Sequence, residues 1–281
     1  MAIDQPALEG KNMSFLDHVD ELRSYIIRSI IAILIGGIVA FSFIKEIVGQ
    51  VIFGPTKKDF ITYQLMCDLG HYLKRGDALC IGDFPFIIQN FGVTTQFLQA
   101  FKIAAIAGII IAFPYILFQI WRFVKPALSS KEQNKTTGFV FFCSSLFFLG
   151  LGFGYFILTP ISMNFLGNFS LGDDIQNQFS LQSVVGFVTT MSFGTGLIFE
   201  LPVLIYFLAK LGLITPAFLK KYRKHSFVVI LILSAFVTPP DVVSQVMLTI
   251  PLYLLFEFGI VIAKKVYKDR EKEDKARAEG T

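Results

Sequence analysis

Apolar runs alternate with short charged stretches along the chain, and their lengths decide what they can be. A helix needs about 20 apolar residues to cross a hydrocarbon core of roughly 30 Å. The first four runs reach that length: Ile26 to Ile44, stopped by Lys45-Glu46; Ile103 to Trp121, ended by Arg122; Phe139 to Ile161, with Pro160 near its end; and Val184 to Leu208, closed by Lys210. A basic cluster, Lys220, Lys221, Arg223, Lys224 and His225, precedes a fifth run, Phe227 to Val237, which Thr238-Pro239-Pro240-Asp241 cuts off. A sixth, Val242 to Ala263, ends at Lys264-Lys265. The fifth run rises only about 18 Å as a helix, and two prolines stop it from lengthening. It is either re-entrant or spans a locally thinned membrane. Pro251 and Glu257 interrupt the sixth, so the last two runs read as a short helical hairpin that pinches the bilayer.

The pattern predicts an all-α integral membrane protein with six transmembrane helices. A cytoplasmic amphipathic segment (1–24) precedes a six-helix domain (25–263), which carries an extended external loop at about 46–99. A charged tail (264–281) follows, read as a solvated helix end or a disordered segment. Composition agrees: of 281 residues 54% are hydrophobic and 16% charged, against about 25% charged in soluble domains, so a water-soluble globule could not cover its surface. Residues 1 to 24 contain no apolar region of the kind a cleavable signal peptide carries.

Charge placement sets the orientation. With six crossings both termini share a side, and that side collects nineteen of the 25 Lys and Arg residues. Cytoplasmic loops carry the basic excess, so both ends are expected inside.

Enzyme signatures are absent: there is no His-Glu-x-x-His, no Gly-rich phosphate loop and no Gly-x-Ser-x-Gly. His18, His71 and His225 lie too far apart in the topology to share a metal. No catalytic residue, metal or cofactor is expected, and nothing points to nucleic acid. Cys67 and Cys80 lie in the long external loop, where a disulfide could add about 3 kcal/mol of local stability, although spacing alone leaves the pairing open. Cys143, in the third run, reads as a small core residue.

Four places concentrate polar chemistry. Ser14 to Arg23 opens with a capping-box pattern, Ser14 and Asp17, and runs as an amphipathic helix into the first span. Glu21 there is either paired to a neighbouring arginine or placed to receive a cationic guest. Between the second and third spans, Pro126 redirects the chain and Ser129 or Ser130 can cap the next helix; Glu132 then sits in a first turn, where the helix dipole favours a carboxylate. Glu200, in Phe199-Glu200-Leu201-Pro202, lies inside the fourth span, where an ionisable group is costly and by default marks function. A protonated side chain bonded to a neighbouring helix is the plainer alternative. Pro202 should kink that helix. Asp241 can cap the sixth helix, with Gln245 one turn later.

The motifs together resemble the TatC family, the multispanning subunit of the twin-arginine protein translocase. They are Phe15-Leu16-Asp17-His18-Val19-Asp20-Glu21-Leu22-Arg23, Phe123-x-x-Pro126-Ala127-Leu128 with Glu132, Phe199-Glu200-x-Pro202, and Thr238-Pro239-Pro240-Asp241 with Gln245. The likeness covers about residues 14 to 265, and Pro55 corresponds to the family's first-loop proline; the stretch from Phe60 to Asn90 is expanded relative to the family. The resemblance implies a concave, glove-like bundle in a bacterial-type cytoplasmic (inner) membrane. It further implies a receptor for arginine-pair signal peptides of folded cargo, recognised by Glu21, Arg23, Phe123 and Glu132. Glu200, Asp241 and Gln245 would be polar positions for partner contact, and Pro55, Pro126, Pro202, Pro239 and Pro240 structural. The implied partners are single-span TatA-type and TatB-type subunits, further copies of the chain and the lipid bilayer, with transport driven by the proton-motive force. The competing reading is a proton-coupled secondary transporter built on Glu200. That reading wants an internal repeat or paired broken helices, and the sequence shows none.

Overall fold

Residues 15–42 contain no proline, and they form one unbroken helix, α1 (Phe15–Ser42). The structure, a computed structural model, describes residues 15–74, 76, 80, 86–124, 136–172 and 177–279. After α1 the chain makes a single turn (Ile44–Glu46), a π-helical segment (Ile47–Ile52) and a 3-10 turn (Gly54–Thr56) containing Pro55. The extramembrane stretch then builds α2 (Ile61–Tyr72) and a three-residue strand, β1 (Ile87–Gln89). α3 (Thr95–Val124) is the second long helix and carries Pro114 internally. The third run is α4 (Thr136–Phe153), a π turn (Gly154–Leu158) and α5 (Thr159–Asn168). β2 (Gln178–Ser180) pairs in parallel with β1, Ile88 opposite Phe179, and ties the two extramembrane loops together.

The fourth run divides into α6 (Leu181–Phe199) and α7 (Leu201–Lys210), with Glu200 at the break and Pro202 in the first turn of α7. This is the expected kink. α8 (Pro216–Lys221) is short and capped by Thr215, whose hydroxyl accepts from the Phe218 amide. α9 (Arg223–Val237) has 15 residues, about 22 Å of rise, and is short as expected.

α10 (Val242–Glu279) corrects the expectation for the sixth run. It is a 38-residue helix that carries Pro251 without breaking and continues past the apolar stretch. Two contacts account for the extension. Val266 is buried against the core, and Arg270 donates to the carbonyls of Ala209 and Lys210 at 3.3 and 3.2 Å, satisfying the open C-terminal end of α7.

Among the described residues, five helical stretches are long and apolar enough to cross a membrane: Asp20–Ser42, Thr95–Val124, Gly138–Asn168, Leu181–Lys210 and Val242–Glu271. α9 is the sixth apolar helix and falls short of that length. Large apolar side chains cover the outside; Ile38 is 69%, Phe141 74% and Phe236 80% exposed, which suits lipid and not water.

Small residues set the helix contacts. α1 and α3 run antiparallel and cross at glycine, where a Cβ on Gly108 would stand 2.6 Å from the Ile33 carbonyl oxygen and one on Gly36 3.0 Å from the Gly108 oxygen. Only bare backbone fits there, as at small-residue crossings in membranes generally. Inside, one apolar cluster joins α6, α7, α9 and α10 through Phe199, Ile205, Ile230 and Leu252. Another joins α3, α4 and α7 through Phe113, Phe147 and Val203, and it includes Cys143, fully buried as a core residue. In the extramembrane segment the pairing that spacing left open is made: Cys67 and Cys80 form a disulfide.

Candidate functional site

Antiparallel packing of α1 on α3 brings the N-terminal motif and the end of α3 to one level. Glu21 lies fifteen residues before Gly36, and Phe123 fifteen residues after Gly108. At 1.5 Å per residue each is about 22 Å from the glycine crossing, on the same side of it. A ring contact confirms the register: Tyr25, one turn after Glu21, meets Phe123 edge-on with centroids 6.3 Å apart. Glu21 and Phe123 are half-buried and Arg23 is exposed. Three of the four expected recognition residues therefore share one end of one helix pair. Glu132 and Pro126 fall outside the described residues, as does Ser14.

Sequence reasoning missed two members of this end. Arg122 sits over the Tyr25 ring at 5.9 Å and over Phe118 at 5.8 Å, a cation held on aromatic faces. The i to i+4 spacing from Glu21 to Tyr25 was the available signal. Next to them Trp121 stacks on Phe139 at 4.1 Å and approaches Phe207 at 6.4 Å, which fixes the end of α3 against the start of α4 and the end of α7. The same end gathers basic groups. The Lys264 ammonium beside Lys220 lowers the Lys220 pKa below its ordinary 10.5, and Arg223 pairs with Glu257 at 2.6 Å. Glu257 is thus engaged by α9 at the boundary.

Glu200 lies ten residues from Lys210, about 15 Å along α7. The helices around it are in close contact: a Cβ on Gly196 would stand 2.9 Å from Phe147 Cε2, and one on Gly150 2.5 Å from Phe199 Cγ. Cys143 and the Phe147 backbone face the carboxyl from α4. Both carboxyl oxygens are buried and have no hydrogen-bond partner among the described residues. A buried polar group in that condition costs stability unless something meets it. The plainer alternative, a hydrogen bond to a neighbouring helix, is met only by the approach of the Phe147 backbone.

At the opposite end of the bundle a buried polar cluster joins α5, α9 and α10. Asp241 Oδ1 accepts from the Ser244 amide at 2.7 Å, the N-cap expected of it, and Oδ2 accepts from the Ser244 hydroxyl. Ser162 donates to the Ser244 oxygen at 2.7 Å, Thr249 to Ser234 at 3.2 Å, and Gln245 reaches the Leu231 carbonyl at 3.3 Å. Asp241 and Gln245 are therefore occupied within the chain and lie apart from Glu200 in the fold. Pro239 and Pro240 form the turn before the cap. Pro55 presents its carbonyl to the Tyr63 hydroxyl at 2.7 Å.

Long apolar helices, a lipid-suited exterior and polar groups confined to the ends and one break define a multi-pass integral membrane protein. The family model for "Sec-independent protein translocase protein (TatC)" matches residues 17–251. The chain is 37% identical over 263 residues to the TatC protein of a Blattabacterium from Periplaneta americana, covering 93% of this chain and 99% of the relative. It is 30% identical to TatCy of Bacillus subtilis, covering 96% of each. A crystal structure of the twin-arginine translocase receptor TatC, in DDM, superposes with TM-score 0.68 at 33% identity, covering 88% of this chain and 99% of that one. The chain belongs to the TatC family of Sec-independent protein translocase proteins. Membership places it among protein-translocation components and displaces the secondary-transporter reading.

Proposed function

We propose that this chain is the receptor and core subunit of a twin-arginine translocase, and that signal peptides dock where α1 begins and α3 ends. The observation that carries this is the shared level of Glu21 and Phe123, set by the glycine crossing and locked by the Tyr25 ring contact. A carboxylate accepts a guanidinium through two charge-assisted hydrogen bonds, which lysine reproduces poorly. Glu21 and Glu132 together would select a pair of arginines, with Arg23 and Phe123 beside them. Exposed pairs contribute only about 0–1 kcal/mol each, so the peptide's apolar part adds affinity along the lipid-facing helices while the carboxylates set register.

The basic end faces the cytoplasm of a bacterial-type inner membrane, with both termini inside and the six-helix domain at 25–263 between them. Glu200 meets polar groups of single-span TatA-type and TatB-type subunits, and the proton-motive force drives export. Asp241 and Gln245 serve the same assembly by holding the turn between α9 and α10. Further copies of the chain join the receptor complex.

The test is photo-crosslinking from position 123 in membranes presented with a twin-arginine signal peptide. Strong labelling from 123 and none from Leu171, in the opposite loop, is expected. Equal labelling from both would sink the docking site.

A further inference from the structure

The extramembrane segment after α1 carries chemistry that peptide recognition does not use. α2 sets Cys67 and His71 one turn apart on one face, and Cys80 returns to that face to close the disulfide. Cys80 Sγ lies 4.0 Å from His71 Nε2. The two sulfurs and an imidazole nitrogen all lie within 4.8 Å of one another. Both cysteines are half-buried and His71 is exposed, so the cluster is open to solvent on one side.

A disulfide staple has no use for an imidazole, whereas two sulfurs and a ring nitrogen make a soft donor set. Metal–sulfur and metal–nitrogen bonds of about 2.3 and 2.0 Å put neighbouring ligand atoms roughly 3.5–3.8 Å apart in a tetrahedral zinc site. The Cys80 sulfur-to-nitrogen spacing is already near that. Only the two sulfurs must part, and breaking their bond allows it.

We propose that Cys67, His71 and Cys80 form a thiolate–imidazole site for a thiophilic d10 cation, Zn2+ or Cu+, that opens when the disulfide is reduced. A dithiol supplies two electrons and two protons; the sulfur–sulfur bond breaks, the dithiol closes to its own disulfide, and two cysteine thiols result. Cation binding releases both thiol protons to solvent, and His71 supplies a neutral nitrogen. Zn2+ keeps a fourth position for water, whereas three donors suffice for Cu+. With the cation bound, residue 80 is tied to α2 again, so the crosslink is restored after reduction.

The test uses the full-length chain in detergent with Cys143→Ala, so that only the two loop thiols count. The protein is reduced with dithiothreitol, freed of it by anaerobic gel filtration, and titrated with Zn2+ and separately with Cu+ against a competing chromophoric chelator. One equivalent of at least one of the two ions should bind the reduced protein and none the oxidised protein, which is the folded control. His71→Ala should weaken binding at least tenfold, and alkylating the two thiols should abolish it. The inference fails if the reduced chain takes up neither ion stoichiometrically, or if His71→Ala binds as tightly as its parent.

Discussion

Tyr63 joins two distant parts of the chain with one hydroxyl, which donates to the Pro55 carbonyl at 2.7 Å and the Pro160 carbonyl at 3.1 Å. Pro55 is the first-loop proline and Pro160 starts α5, so this group seats the extramembrane loop on the third span. Removing it with Tyr63→Phe should cost about 1–2 kcal/mol, read as a lower denaturant midpoint in detergent. Burial pushes the Tyr63 phenol well above its ordinary 10.0. Below pH 10 the phenol is protonated folded and unfolded, so the deficit of Tyr63→Phe should be constant there. Above pH 10 the unfolded chain ionises first, the wild type loses stability through this group, and the two proteins should converge. A deficit that grows with pH would contradict the account. Such residue-scale ties were not legible in the sequence: Pro55 stood out, but nothing local to Tyr63 says that it bridges to Pro160.

At the scale of elements, the break between α6 and α7 was legible because Pro202 removes a helix donor at a fixed place. Glu200 then falls on the break with both carboxyl oxygens buried, the Phe147 backbone facing them from α4. Export should fall at least tenfold in Glu200→Leu if that carboxyl meets a partner subunit, while the level of the protein in the membrane is kept. Unchanged export would remove the assigned role. The reach of α10 was not legible. Its charged end reads as a tail from composition, yet Arg270 caps α7 from there, a contact between residues about 60 apart that no periodicity reveals. Arg270→Ala should speed hydrogen exchange several-fold over 264–279 and leave 242–255 unaffected. An unchanged pattern would mean the cap does not hold the helix.

For the whole molecule, run lengths made the long helices legible because the bilayer imposes a length, while the charge bias argues for the proposed side. The relation between spans was hidden, because an apolar run carries no record of which neighbour it touches. The crossing of Gly36 on Gly108 decides that Glu21 and Phe123 share a level, and it becomes visible only when the helices are packed. Under the proposed docking, a basic end with Glu21 set into it would be a selective place for a cationic peptide. The most direct measurement is the affinity of the purified protein, in a lipid nanodisc, for a signal peptide carrying Arg-Arg or Lys-Lys. It is made for the wild type and for the Glu21→Ala/Glu132→Ala variant. The wild type should prefer Arg-Arg by about tenfold or more, ~1.4 kcal/mol, and the double variant should lose that preference. Wild-type affinity in the double variant, with no preference between the two peptides in either protein, would contradict the assignment.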